Sequence, residues 1–82
     1  MPYIEQHDRE YLQPYSEFNP VEPGQLNYQI TCVIRTYIQA NGLTYRCIND
    51  VLGALEGAKL EFYRRVAALY EERKMQENGD VY

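Results

Sequence analysis

Two segments of the chain show the apolar spacing of amphipathic helices. In residues 25–41, apolar side chains recur every three or four positions along one stripe, with polar side chains opposite. The members of this stripe are Leu26, Ile30, Val33, Ile34, Tyr37 and Ile38. Residues 25–41 are therefore predicted to form an amphipathic helix with one buried face.

Residues 44–76 are predicted to form a second, longer helix with two neighbouring apolar stripes. The first stripe contains Ile48, Leu52, Leu55, Phe62, Val66 and Leu69, and the second contains Leu60, Tyr63, Ala67 and Tyr70. At about 1.5 Å per residue the long helix spans roughly 50 Å, and the shorter helix only about 24 Å. Because the shorter helix cannot cover the longer one, we expect a homo-oligomer in which another copy covers the distal half.

The junction between the two helices is short and carries signals for both helix ends. Gly42 suits a left-handed C-terminal cap, and Thr44 suits an N-cap for the next helix. Two helices joined by so few residues are normally antiparallel neighbours. The fold prediction is accordingly all-α, an antiparallel helical hairpin.

The termini complete a single predicted domain over residues 1–82. Residues 1–24 contain all four prolines and are predicted as an arm with a short helix from Ile4 to Leu12, ended by Pro14. Tyr15, Phe18 and Val21 would follow in an extended segment that lies over helices. Residues 77–82 are predicted as a tail that leaves the long helix through Asn78-Gly79.

Charge and cysteine content exclude several classes of protein. The chain of 82 residues has a net charge of -4, which argues against a protein that coats duplex DNA. No apolar run approaches the roughly 20 residues of a membrane span, so we expect a cytoplasmic protein. Cys32, Cys47 and His7 offer neither the spacing of a metal site nor a catalytic arrangement. We predict no catalytic residues, no metal and no cofactor, and buried, reduced cysteines.

Tyrosine is in excess, since the chain has nine Tyr, two Phe and no Trp. Five of the eight basic residues lie between Lys59 and Lys74, interleaved with glutamates. One interpretation is a solvated helix face with ordinary ion pairs, such as Glu56 with Lys59 and Glu61 with Arg65. The other is a ligand site, because tyrosine rings stack on nucleobases and arginine binds phosphate.

The ligand-site interpretation identifies two regions and the C-terminal residue. Tyr45 and Arg46 lie at the start of the long helix, where free backbone N–H groups favour anions. Lys59 falls within an apolar stripe, where it must snorkel, pair or meet a ligand. The predicted ligand-binding residues are Tyr45, Arg46, Lys59, Tyr63, Arg64, Arg65 and Tyr82.

Small residues interrupt the middle of the long helix. Gly53, Ala54, Gly57 and Ala58 form a strip along it. Such a strip permits tight packing against residues 25–41 or a second subunit, or the close approach of a flat ligand. Both alternatives remain open from the sequence.

Four motifs resemble those of a family of small phage, prophage and bacterial proteins that carry a domain of unknown function. They are Met1-Pro2-Tyr3-Ile4, the run from Pro23 to Tyr28, the block from Ile48 to Val66 with its Gly-Ala-Leu-Glu-Gly-Ala-Lys-Leu-Glu-Phe-Tyr-Arg-Arg core, and the ending Glu-Asn-Gly-Asp-Val-Tyr. Relatives often have a proline where this chain has Leu69, so the helix is expected to continue further here. The resemblance implies a phage-linked, cytoplasmic protein and no known reaction.

Together these observations give two functional hypotheses. The first is a non-enzymatic phage protein that sequesters a nucleotide-derived immune signal, either a cyclic oligonucleotide or an ADP-ribose derivative, at pockets between subunits. The second is an inhibitor or adaptor that docks on a host or phage protein through a face rich in Tyr and Arg.

Overall fold

The computed structural model describes residues 4–12 and 19–82, which form helices and contain no strand within these ranges. The prediction of an all-helical chain with a long C-terminal helix is confirmed. The chain divides into two compact units, Met1–Gly42 and Leu43–Tyr82. The arm residues Tyr15 and Phe18, and the predicted stop at Pro14, lie outside the described residues.

The first unit contains helix α1, Gln6–Leu12, and helix α2, Pro23–Asn41. Helix α2 begins two residues before the position predicted from the apolar stripe, because Pro23 has the φ angle and the missing N–H that suit the first turn. The Gln25 side chain accepts a hydrogen bond of 2.8 Å from the backbone N–H of Val21 and so closes this start.

Gly42 ends helix α2 and donates its N–H to the carbonyl of Ile38 at 2.7 Å. Its φ of 84° is positive, as predicted, but its ψ of 155° lies outside the left-handed helical region. This extended conformation is almost exclusive to glycine, since a Cβ atom would clash with the backbone. The chain therefore leaves the helix at once.

The second unit is built on one unbroken helical rod, roughly 50 Å long at about 1.5 Å per residue. It consists of α3, Tyr45–Phe62, a π-helical turn, Tyr63–Ala67, and α4, Ala68–Asn78. Thr44 caps the start, since its hydroxyl accepts a hydrogen bond of 3.1 Å from the N–H of Cys47, as predicted. The rod continues through Leu69 without a break.

The π-helical turn is the main departure from the predicted long helix. Tyr63 donates its N–H to the carbonyls of Leu60 and Lys59, but Ala68 donates to Tyr63, five residues back. Such a turn contains one residue more than an α-helical turn, so everything downstream is rotated by about 100°. The two apolar stripes predicted from uniform α-helical spacing therefore do not continue in phase into α4.

Gly79, with a φ of 86°, ends the rod and starts the tail. The N–H of Tyr82 donates to the Asp80 carboxylate at 2.8 Å, which folds the last residues locally. The side chains of Val81 and Tyr82 are nevertheless fully exposed.

Burial within the described residues is slight. Cys47, at 3% exposure, is the one buried side chain there, whereas Cys32 is half-buried. The expectation that both cysteines are buried thus holds for Cys47 alone. Tyr37, predicted in a core stripe, is 40% exposed. Since burial of apolar surface must offset the entropy of folding, so many exposed apolar side chains favour further packing partners.

Candidate ligand-binding surface

All seven predicted ligand-binding residues lie in the second unit, but at three levels along the rod. Tyr45 and Arg46 occupy its first turn, and the group from Lys59 to Arg65 lies at its middle. Arg46 and Lys59 are about 20 Å apart along the axis at about 1.5 Å per residue. Tyr82 follows the other end. One copy of the rod therefore does not bring the three levels together.

The first level is an open helix start. Tyr45 is 88% exposed, and Arg46 is exposed beside it. Thr44 uses the N–H of Cys47, so the remaining first-turn N–H groups are still available to an anion. A guanidinium and an aromatic ring thus flank an electropositive helix terminus.

The middle level places a cation beside an aromatic ring. Lys59 and Tyr63 are one turn apart and share a face of the rod, and the Tyr63 side chain is 54% exposed. Among the described residues, no carboxylate lies within 4.0 Å of the Lys59 ammonium. Its charge is therefore available on this face.

The two arginines of the π-helical turn differ in their surroundings. Arg64 forms an ion pair with Glu61 on the preceding turn. Arg65, by contrast, lies within 4.0 Å of no carboxylate in the described part of the chain. Successive helical residues are turned by about 100°, so Arg65 lies far around the rod from Lys59. By the same count Arg64 lies about 140° from Lys59 but only about 100° from Tyr63, so Arg64 flanks the pair on its Tyr63 side.

The third level contains a feature that sequence reasoning missed, an open cleft of about 660 Å³ between α4 and the tail. Tyr70, Lys74 and Tyr82 line it, and the Lys74 ammonium lies 5.6 Å from the centroid of the Tyr70 ring. The Tyr70–Lys74 spacing was a signal in the sequence, because it repeats the one-turn separation of Lys59 and Tyr63.

The charge of this cleft is unfavourable for a phosphate. Its lining includes the carboxylates of Glu71, Glu72 and Asp80 against the single cation of Lys74. Lys74 also pairs with Glu77 at 3.3 Å. Tyr82 therefore lies in acidic surroundings within one copy, and the cleft alone does not form an anion site.

The first unit has one group of possible metal ligands, Glu5, His7 and Asp8. The Glu5 carboxylate lies 3.6 Å from Nδ1 of His7, and the Asp8 carboxylate lies 3.3 Å from Nε2. All three side chains are exposed on or beside the seven-residue helix α1. Exposed acidic groups of this kind are common without a metal ion, so the absence of a metal stays a prediction.

Gly53 shows no sign of close packing. A Cβ atom built on it would meet no heavy atom within 4 Å. The described chain therefore makes no tight contact at this part of the small-residue strip.

Comparison with known proteins establishes the family. A model of the family described as Domain of unknown function (DUF6899) matches residues 1–81, so the chain belongs to that family. Neither a curated protein nor a solved structure gave a significant match. Across the described residues, no helix combines the length and apolar character needed to cross a membrane.

Proposed function

We propose that this protein is a non-enzymatic binding protein that sequesters a nucleotide-derived immune signal for a phage in the host cytoplasm. The observation that carries the proposal is the Lys59–Tyr63 pair, an available ammonium one turn from a half-exposed aromatic ring. A nucleotide presents the matching groups, a base for stacking and a phosphate for the cation. Cyclic oligonucleotides and ADP-ribose derivatives both offer this combination.

Each residue has a defined role in the proposal. Tyr63 stacks on the base, Lys59 binds phosphate, and Arg64 joins when the ligand displaces Glu61. The Arg64 side chain is 68% exposed but that of Glu61 only 27%, so the exchange costs at least the value of a fully exposed ion pair, about 0–1 kcal/mol. The overall charge of -4 is no obstacle, because local charge decides the binding of a small anion.

The proposal requires more than one copy of the chain. Tyr45, Arg46 and Tyr82 lie at the two ends of a rod roughly 50 Å long, beyond the reach of one nucleotide at the middle level. A homo-oligomer of the predicted antiparallel hairpins would let these ends meet between subunits and form a second site. Arg65 lies far around the rod from Lys59 and takes no part in the middle-level site.

Thermal melting with a ligand panel tests the proposal. Cyclic dinucleotides, cyclic trinucleotides and cyclised ADP-ribose derivatives are added separately, and we expect at least one to raise Tm. Replacement of Tyr63 by Ala should then weaken binding by about 1–3 kcal/mol, the usual value of one stacked base. Tyr63→Phe, which keeps the ring, should retain most of the affinity. A well-folded sample that no member of the panel stabilises would contradict the proposal.

A second function, docking on a host or phage protein, is favoured by a different observation. Leu52, Leu60 and Phe62 each expose more than half of their side chains. Apolar and aromatic side chains of this kind form the cores of protein interfaces. This function predicts one stoichiometric protein partner in a pull-down from host lysate, which is lost with Phe62→Ser and kept with the exposed-site control Tyr28→Ser. If the pull-down yields no such protein while a nucleotide of the panel binds, this second function is excluded.

A further inference from the structure

The π-helical turn places two charged residues on one side of the rod that a continuous α-helix would separate. Lys59 and Glu71 are twelve residues apart, which corresponds to about 120° of rotation in an α-helix. The extra residue of the turn removes about 100° of this difference, so both residues lie on one face. Glu56 precedes Lys59 on that face, and Lys74 follows Glu71.

This surface, the Lys59 face, is exposed and carries apolar and charged side chains together. Its members are Leu52, Leu55, Glu56, Lys59, Tyr63, Ala67, Glu71 and Lys74. Leu52 is 59% exposed and Tyr63 is 54% exposed. Within the described chain, neither Glu56 nor Glu71 has an ion-pair partner, and Lys59 has none either. A face that mixes exposed apolar side chains with unpaired charges of both signs is typical of a helix that packs on another helix.

We propose that the occupant of the Lys59 face is a second copy of this chain, packed antiparallel along the rod about a twofold axis at the level of Arg65. The argument is charge complementarity. In this register Lys59 lies opposite the partner's Glu71, and Glu56 lies opposite the partner's Lys74. A twofold axis repeats each pair, so both copies satisfy their charges.

The apolar residues share the same midpoint. Tyr63 lies opposite the partner's Ala67, which sets a large side chain against a small one. Leu55 lies opposite the partner's Met75 in the same register. A parallel pair would instead set Lys59 against Lys59 and Glu71 against Glu71, which is repulsive. Lys74 must give up its exposed pair with Glu77, at 3.3 Å, which is worth little.

The same register brings the ends of two rods together, a consequence that rests on the proposed function. Lys59 and Tyr63 then face the partner, so a nucleotide that binds these two residues competes with self-association. Residues 79–82 of one copy come beside residues 48–51 of the other. The partner's Tyr82 thereby approaches Tyr45 and Arg46, and its acidic tail meets an electropositive helix start. These three predicted residues, separated within one chain, then form one site whose parts come from two subunits.

Charge reversal tests the packing between copies in the absence of any ligand. The result therefore does not depend on whether the protein binds a nucleotide. Sedimentation of the unmodified protein should show a dimer or a multiple of it. Lys59→Glu and Glu71→Lys should each weaken self-association about tenfold or more, which is about 1.4 kcal/mol. The double variant K59E/E71K should restore it, because the antiparallel register pairs these two positions.

Arg73→Glu is the matched control, since it makes the same charge change on the opposite side of α4 and should leave self-association unchanged. Circular dichroism checks that each variant remains helical. The proposal is overturned if the unmodified protein sediments as a monomer up to millimolar concentration. It is also overturned if the double variant is no better than either single one, which would indicate another register, a parallel pair or a different occupant.

Discussion

Ala68 donates its backbone N–H to the carbonyl of Tyr63, five residues back, and this single hydrogen bond sets which side chains share a face along the C-terminal rod. Upstream of it, Lys59 and Tyr63 follow α-helical spacing. Downstream, Ala67 and Glu71 join their face, whereas Val66 and Leu69 turn away from it. Turns of this kind are frequent at functional sites, and here the turn coincides with the predicted ligand-binding residues.

Deletion of Arg65 should convert the π-helical turn into an ordinary α-helical turn. The residues of α4 would rotate back by about 100°, which separates Glu71 from Lys59. We expect unchanged helix content by circular dichroism but weaker self-association by sedimentation. Deletion of Gln76, which shifts only the end of α4, is the control. Equal behaviour of the two deletions would show that the turn does not govern the interface.

Replacement of Gly42 by Ala should destabilise the protein. A Cβ atom is poorly tolerated at a φ of 84° with a ψ of 155°, and such conformations cost about 1–3 kcal/mol. The free energy of unfolding in urea measures the loss. The control is Gly24→Ala, at an exposed residue in the first turn of α2, which should cause almost no loss of stability. Equal losses at both positions would contradict the conformational explanation.

Replacement of Gly53 by Ala should instead stabilise the protein. Gly53 lies inside α3, and an added Cβ atom meets nothing within 4 Å. Ala is the better helix former by about 1 kcal/mol, so the free energy of unfolding should rise by up to that amount. A fall in stability, or a loss of ligand binding with the helix intact, would instead show that a ligand or another copy approaches the small-residue strip at this position.

Thr44→Ala should weaken the start of the rod. The substitution removes the oxygen that accepts the Cys47 N–H at 3.1 Å, and a lost N-cap costs about 1 kcal/mol. Thr44→Ser keeps the hydroxyl and should retain most of the stability in the same urea titration. If Thr44→Ser and Thr44→Ala lower the free energy of unfolding equally, the methyl group of Thr44 and not its hydroxyl cap is the source of the stability.

The two cysteines should differ in alkylation. Cys47 is 3% exposed, whereas Cys32 is half-buried, so iodoacetamide should modify Cys32 first under native conditions. Mass spectrometry of the digested protein gives the rate at each site. Both thiols should react alike in denaturant, which supplies the control. Faster modification of Cys47 in the native protein would contradict its burial.

The local signals of the sequence defined the helices and most of their ends. Apolar spacing predicted the two main helices, and Thr44 and Gly42 marked the boundary between them. Such signals depend on a few neighbouring residues, so they can be read without knowledge of the fold. The start at Pro23 was missed because the prediction relied on the apolar stripe alone.

The candidate site was only partly predictable, because its residue types can be seen in the sequence but the arrangement of the tail cannot. The residue types, tyrosine and lysine one turn apart, were visible at Lys59 and Tyr63. The cleft at Tyr70, Lys74 and Tyr82 was not, because it depends on the direction in which the tail leaves Gly79. A tail without regular secondary structure has no periodic sequence pattern that gives its direction. The lining of the cleft and its acidic charge were therefore visible only in the structure.

The sequence by itself determined that this chain is helical and where its long rod begins, and it supplied the prediction of which side chains stack on a base and bind an anion. Only the three-dimensional structure decided how those side chains are distributed around the rod. The physical reason is that apolar periodicity assumes about 3.6 residues per turn throughout, and one wider turn at Tyr63–Ala67 changes the phase of everything after it. That change of phase brings Lys59 and Glu71 onto one face.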